Sequence, residues 1–272
     1  MTEFLLGFGN PFITHALTHS RTLIDAYPFR ENGATAAQEI AYAISKVNKV
    51  NKATKALKNK KIHVLLSSGN NFIEEIAKFR AIRRLWLKMV PGTILEIYAR
   101  TSASSLVKQK SWNNIARAAL QALQAALGGA DCIEIFPFDL PFRQKLTKVT
   151  KATLRLRSGQ AKVTRGKEIL NEWSKWAEQM AKDTHEVLRY EIGLLEAPFD
   201  PLAGSYEIDK KTEELEKEVL IELGKLNSLE PKEAQRYIQD SLQNLTRQNE
   251  APIVGVMIQT QGPSPQPKRV KQ

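Results

Sequence analysis

NFIEEIAKFRAIRRLWL (Asn71–Leu87), ILEIY (Ile94–Tyr98) and WNNIARAALQALQAALGGADCIEIFPFD (Trp112–Asp139) follow one another in the middle of the chain. Asn70 stands where it caps a helix running to about Met89, and Pro91-Gly92 stops that helix. ILEIY is a buried-strand pattern. Trp112–Leu127 is an Ala-rich helix ended by Gly128-Gly129, a C-terminal stop signal. CIEIF (Cys132–Phe136) is the next strand, closed by Pro137.

The same alternation extends upstream. TLIDAY (Thr22–Tyr27) is a short apolar run with Asp25 embedded. Ala34–Asn51 reads as a helix, with Ile40, Ile44 and Val47 at three-to-four-residue spacing, and HVLLS (His63–Ser67) as a strand. Strands separated by helices of a dozen residues or more imply crossover connections and a parallel sheet. Such a sheet is covered on both faces, so its strands are nearly all apolar, as here. A doubly wound sheet and a TIM-type barrel both satisfy this pattern. No Gly-rich phosphate loop opens any helix, which weighs against a dinucleotide-binding version.

Downstream of Asp139 the pattern breaks. Residues 143–167 carry nine Lys/Arg and no acid. Glu168–Leu195 is helical in pattern, with Trp173 and Trp176 read as core or subunit contact. Asp200–Tyr206 (DPLAGSY) is a turn. Thr212–Leu226 and Pro231–Leu245 are amphipathic helices, and Ile253–Met257 is a candidate last strand. From Gln259 on, the Pro- and Lys-rich text reads as a disordered tail.

The net charge of +11 is local: residues 46–61 hold seven lysines and no acid, and the remainder outside the basic segments is net acidic. A dedicated nucleic-acid binder is basic more widely. The lysines of 46–61 lack interleaved aromatics for base stacking and read as a solvated face. The single cysteine, Cys132, rules out an internal disulfide and a Cys-rich metal site and reads as a core thiol. Asp131 and Glu134 read as capping or pairing acids rather than an acid–base couple. No apolar run approaches the roughly 18 residues of a membrane span. The start, MTEFLLGFGNPF, lacks a basic n-region, so the expected compartment is the cytoplasm.

Four blocks resemble the barrel of the methylmalonyl-CoA mutase family, in order: ENGATAAQEIAYAIS in the stretch Tyr27–Tyr42 and beyond, Asn71–Leu87, Trp112–Asp139, and DPLAGSYE (Asp200–Glu207). IVGVM (Ile253–Met257) sits where the family has a similar short segment. The resemblance implies a partial TIM-type (β/α) barrel with parallel strands and C-terminal helices. It implies a barrel domain over 1–258, a basic insertion at 143–170, and a tail at 259–272. The chain starts near the middle of the family's barrel, so an incomplete strand set is expected. An open parallel sheet has an unpaired edge; an N-terminal helix covers it, a second chain completes the barrel, or the gene is a remnant.

Within the family the chain most resembles the small, non-catalytic subunit. Tyr27 is kept, but Pro28 replaces the His beside it. Glu96 stands at a basic coenzyme A contact, and Asp131 and Glu134 stand at the catalytic Gln and His. Glu191 matches a Glu placed near the adenosyl group. No Asp-x-His-x-x-Gly cobalamin loop is present. The resemblance implies adenosylcobalamin and acyl-CoA in the assembly and, as partner, a catalytic mutase subunit or a complementary barrel chain. Tyr27, Arg30, Arg100, Ser102 and Glu191 are expected to line the C-terminal mouth. An autonomous or split-chain cobalamin-dependent isomerase, and a degenerate barrel fragment acting only as a basic interaction module built on 143–167, are the alternatives.

Overall fold

In the computed structural model, residues 3–4, 23–54, 59–143, 160–193, 200–229, 233 and 237 are described. Four strands run in chain order: β2 (Leu23–Asp25), β3 (Lys61–Ser68), β4 (Ile94–Thr101) and β5 (Cys132–Glu134). All pair in parallel, and the two-residue β1 (Glu3–Phe4) adds to the outer side of β5, giving the order β1-β5-β4-β3-β2. Consecutive neighbours joined by helices are the expected arc of a (β/α) barrel. Among the described residues nothing pairs the outer edge of β2.

The connecting helices are α1 (Tyr27–Glu31), α2 (Ala36–Thr54), α3 (Phe72–Met89) and α4 (Asn113–Leu127). A long α5 (Gln160–Glu186) ends in a π turn (Val187–Glu191), and α6 (Tyr206–Ser228) follows. Side chains alternate across the sheet. Ile24, Ile62, Val64, Leu66, Ile97, Ala99 and Ile133 face the helices and form the main core with residues such as Ile40, Phe79 and Trp86. Leu23, Leu65, Tyr98 and Phe136 pack on the opposite, concave face. The same alternation puts Lys61, His63, Glu96, Arg100, Cys132 and Glu134 there.

The two glycines after α4 have separate causes. Gly129 has φ +87°, a left-handed conformation that disfavours side chains. Gly128 touches the core: a Cβ there would lie 2.7 Å from Phe79 Cβ. The DPLAGSY turn docks on α3, where Arg80 Nη2 donates to Asp200 at 2.8 Å and to Leu127 O at 3.2 Å. One turn on, Arg84 meets Asp209 at the start of α6. The family blocks at 71–87 and 200–207 are thus two halves of one contact.

Several expectations need correction. Asn71, not Asn70, precedes α3; Asn70 instead accepts a hydrogen bond from Gln121 Nε2 at 2.7 Å, tying two loops together. α5 begins at Gln160, inside the segment read as aperiodic, and α6 begins at Tyr206 rather than Thr212. Ile253–Met257, the tail 259–272, residues 144–159 and most of Pro231–Leu245 lie outside the described residues. No helix among the described residues is long and apolar enough to cross a membrane.

Candidate functional site

The C-terminal ends of parallel strands in a barrel converge on one mouth. Here the register sets Ser67 of β3 beside Arg100 of β4, and Arg100 beside Glu134 of β5. Arg100 Nε donates to Glu134 Oε2 at 2.5 Å, with the two side chains only 15% and 9% exposed. The guanidinium also lies 5.2 Å from the Tyr27 ring and 5.5 Å from that of Phe136, so its charge is shared between a carboxylate and two aromatic faces. Desolvation pushes the Glu134 carboxyl above its usual value, against the pull of Arg100.

Pro28 at the start of α1 fixes the turn that follows β2. Tyr27 and Glu31, four residues apart on that helix, then reach over the strand ends. The Tyr27 hydroxyl donates to Thr101 O at 3.2 Å and accepts the Ala103 N–H at 3.0 Å. Burial pushes the Tyr27 phenol up, keeping it neutral. Glu31 accepts the Ser67 hydroxyl at 2.6 Å through one oxygen and the Ser104 N–H at 2.7 Å through the other. The Ser102 N–H is shared between Ser68 O and Gln121 Oε1, both at 2.9 Å, and the Ser102 and Ser104 hydroxyls are 2.9 Å apart.

Tyr27, Arg100 and Ser102 are therefore brought together. Arg30 turns instead toward α3, where it bonds Glu74 at 2.8 Å and Glu75 at 3.0 Å. Glu191 is exposed in the π turn, with no described contact to the other four. Glu31, Ser67 and Ser104 complete the cluster without having been marked in the sequence. The only signal for Glu31 was its four-residue spacing from Tyr27.

Behind Ser67 lies a buried ionic cluster. Lys78 Nζ is 2.9 Å from Glu39 and 2.5 Å from Glu75, and all three side chains are fully buried. Lys78 also bonds Ser67 O, and the Ser67 N–H donates to Glu39 at 2.7 Å. Burial raises Glu39 to about 7 even beside Lys78, whereas Lys78 and Arg30 outweigh burial at Glu75 and lower it.

Asp131 and Glu134 lie at opposite ends of β5, about 10 Å of strand apart. Asp131 accepts the Ile97 N–H at 2.7 Å and Arg83 at 2.8 Å. They form no acid–base couple. Cys132 is buried against Tyr98. Trp173 and Trp176 join Trp112 and Phe138 in an aromatic cluster under α5. Among the described residues no group of three His, Cys, Asp or Glu is placed to hold a metal ion.

The methylmalonyl-CoA mutase family profile matches residues 12–161, more than half of the chain. The chain belongs to the methylmalonyl-CoA mutase family. It is 27% identical over 206 residues to a methylmalonyl-CoA mutase of Rhizobium meliloti, covering 71% of this chain and 25% of that protein. It is 27% identical over 211 residues to the 2-hydroxyisobutanoyl-CoA mutase large subunit of Aquincola tertiaricarbonis, covering 72% and 32%. The human mitochondrial methylmalonyl-CoA mutase is 30% identical over 131 residues, 43% of this chain and 18% of that protein. The chain thus spans about a quarter to a third of the length of the first two relatives. The parallel α/β arc is the part of a mutase barrel that this match describes.

Proposed function

We propose that this chain is a non-catalytic, small-subunit-like component of a coenzyme-B12-dependent acyl-CoA mutase, serving the interconversion of methylmalonyl-CoA and succinyl-CoA. The observation that carries the reading is Arg100: this cation at the strand ends is neutralised by Glu134 and stacked on two rings. A mutase must instead hold its substrate's thioester and charged groups with donors that are not already engaged. The helix-side contacts are intact meanwhile, including the docked DPLAGSY turn and the Glu39–Lys78–Glu75 cluster. Adenosylcobalamin and acyl-CoA belong, on this reading, to a larger catalytic partner chain.

Gentle lysis followed by affinity purification tests this. Co-purification with a larger, B12-containing chain is expected, and a clean monomer at native expression levels overturns it. A split-chain isomerase is the second reading. It requires a complementary barrel chain, and reconstitution of a visible cobalamin spectrum by the two together distinguishes it.

A further inference from the structure

We infer that the segment Ser102–Leu106, after β4, is a built-in plug that closes the mouth of this chain to both adenosylcobalamin and an acyl-CoA thioester. This rests on the non-catalytic reading above and gives it a physical cause. Loops after barrel strands usually leave the mouth open, because the site is built there. Here the loop turns inward. Leu106, 7% exposed, packs with Tyr27, Leu65 and Phe136, and Ala103 and Leu140 close in around them.

The backbone of the loop is held by three elements. The Ser102 N–H goes to β3 and α4 through Ser68 O and Gln121 Oε1. The Ala103 N–H goes to the Tyr27 hydroxyl and the Ser104 N–H to Glu31, both from α1. The Val107 N–H goes to Asn114 Oδ1 of α4 at 3.2 Å. Pinning from three sides fixes the loop where a substrate would pass. An adenosyl group or thioester entering would have to expel Leu106 and separate Arg100 from Glu134. The donors it needs are committed elsewhere: the Tyr27 hydroxyl to Thr101 O and the Arg100 Nε to Glu134. The residues present do not fit the group.

Hydrogen exchange by mass spectrometry on the full chain tests the plug without any activity. Peptides spanning 102–107 are expected to exchange slowly, and to be unchanged by millimolar adenosylcobalamin or succinyl-CoA. Tyr27→Phe removes the acceptor for Ala103 and is expected to speed exchange in this segment by about two- to tenfold, the size of one lost hydrogen bond. Exchange in α4 should stay as in the wild type. If Tyr27→Phe fails to fold, Glu31→Ala, which removes the acceptor of the Ser104 N–H, gives the same local readout. Fast exchange of 102–107 in the wild type overturns the proposal. So does ligand-induced protection there, or a shifted cobalamin spectrum. The measurement uses this chain alone, so failure to co-purify with a larger chain would sink the assembly reading and leave the plug standing.

Discussion

Replacing Lys78 by Met is the severest single test of the buried cluster. The ammonium sits at zero exposure between Glu39 at 2.9 Å and Glu75 at 2.5 Å. Met keeps the volume and removes the charge. Glu75 retains Arg30, but Glu39 retains only the Ser67 N–H. Removing one member of a buried ion pair costs about 3–5 kcal/mol, because the partner is left charged in a poorly polar interior. At about 2–4 °C per kcal/mol for a chain of this size, Tm should fall by roughly 6–20 °C. Thermal and urea melts followed by far-UV circular dichroism measure it. The deficit must also depend on pH. Glu39 already has its folded pKa above the unfolded value of 4.5, so its burial costs stability as pH rises past 4.5. Losing Lys78 raises that pKa further, so the variant should be worst in base and recover in acid. The triple variant Lys78→Met, Glu39→Gln, Glu75→Gln should regain much of the loss. A Lys78→Met protein within 1 kcal/mol of wild type at pH 8 would refute the claim that this cluster is held by charge.

Gly128→Ala should cost about 1–3 kcal/mol by driving a methyl into Phe79, whereas Gly224→Ala, with nothing within reach, should cost nothing or stabilise α6; paired urea melts decide. His185 is 1% exposed and burial pushes it down to about 4 from 6.5. Its contribution is full above pH 6.5 and lost as pH falls toward 4, about 3 kcal/mol for a difference of about 2.5 pH units. His185→Leu should therefore flatten the acid limb of stability against pH, and an unchanged limb would count against the burial. Arg100→Ala should lose about 3 kcal/mol by stranding Glu134 in a site 9% exposed, and Glu134→Gln should lose less, as chemical denaturation would show.

β2 to β5 and α2 to α4 were legible because their apolar runs, Gly-Gly and Pro-Gly breaks are local signals; the five-residue α1 (Tyr27–Glu31) was not, being too short to show a period. The start of α6 carries little sequence signal because its first turn, YEIDKK, is polar on the surface; Ile208, 3% exposed, is the one apolar anchor there. The charge run from 143 hides the period at the start of α5. Lys78 shows the larger limit. EIAK places Glu75 and Lys78 three residues apart on one helix, which usually means a solvated pair. Their burial depends on Glu39, 39 residues upstream and on another helix, and on the strand end at Ser67.

The site was legible in proportion to how far strand register alone placed it. Tyr27, Arg100 and Ser102 follow directly from strands that end at one mouth, so a strand reading and a family comparison together locate them. Their partners do not follow. Glu134 meets Arg100 because Arg100 and Glu134 are opposite in register, a fact that no spacing in the chain states. Glu191 rests on the family resemblance alone; it lies exposed in the π turn from Val187, with no described contact to Tyr27, Arg100 or Ser102. The consequence for function is specific. On the non-catalytic reading, Pro28 and Glu134 mark the loss of individual catalytic groups and Glu96 the loss of a coenzyme A contact. On the proposed plug, Glu31, Ser104, Tyr27 and Leu106 fill the space at the strand ends, so restoring the lost residues one by one is expected not to restore ligand binding while Leu106 remains, as cobalamin titration of each variant would check.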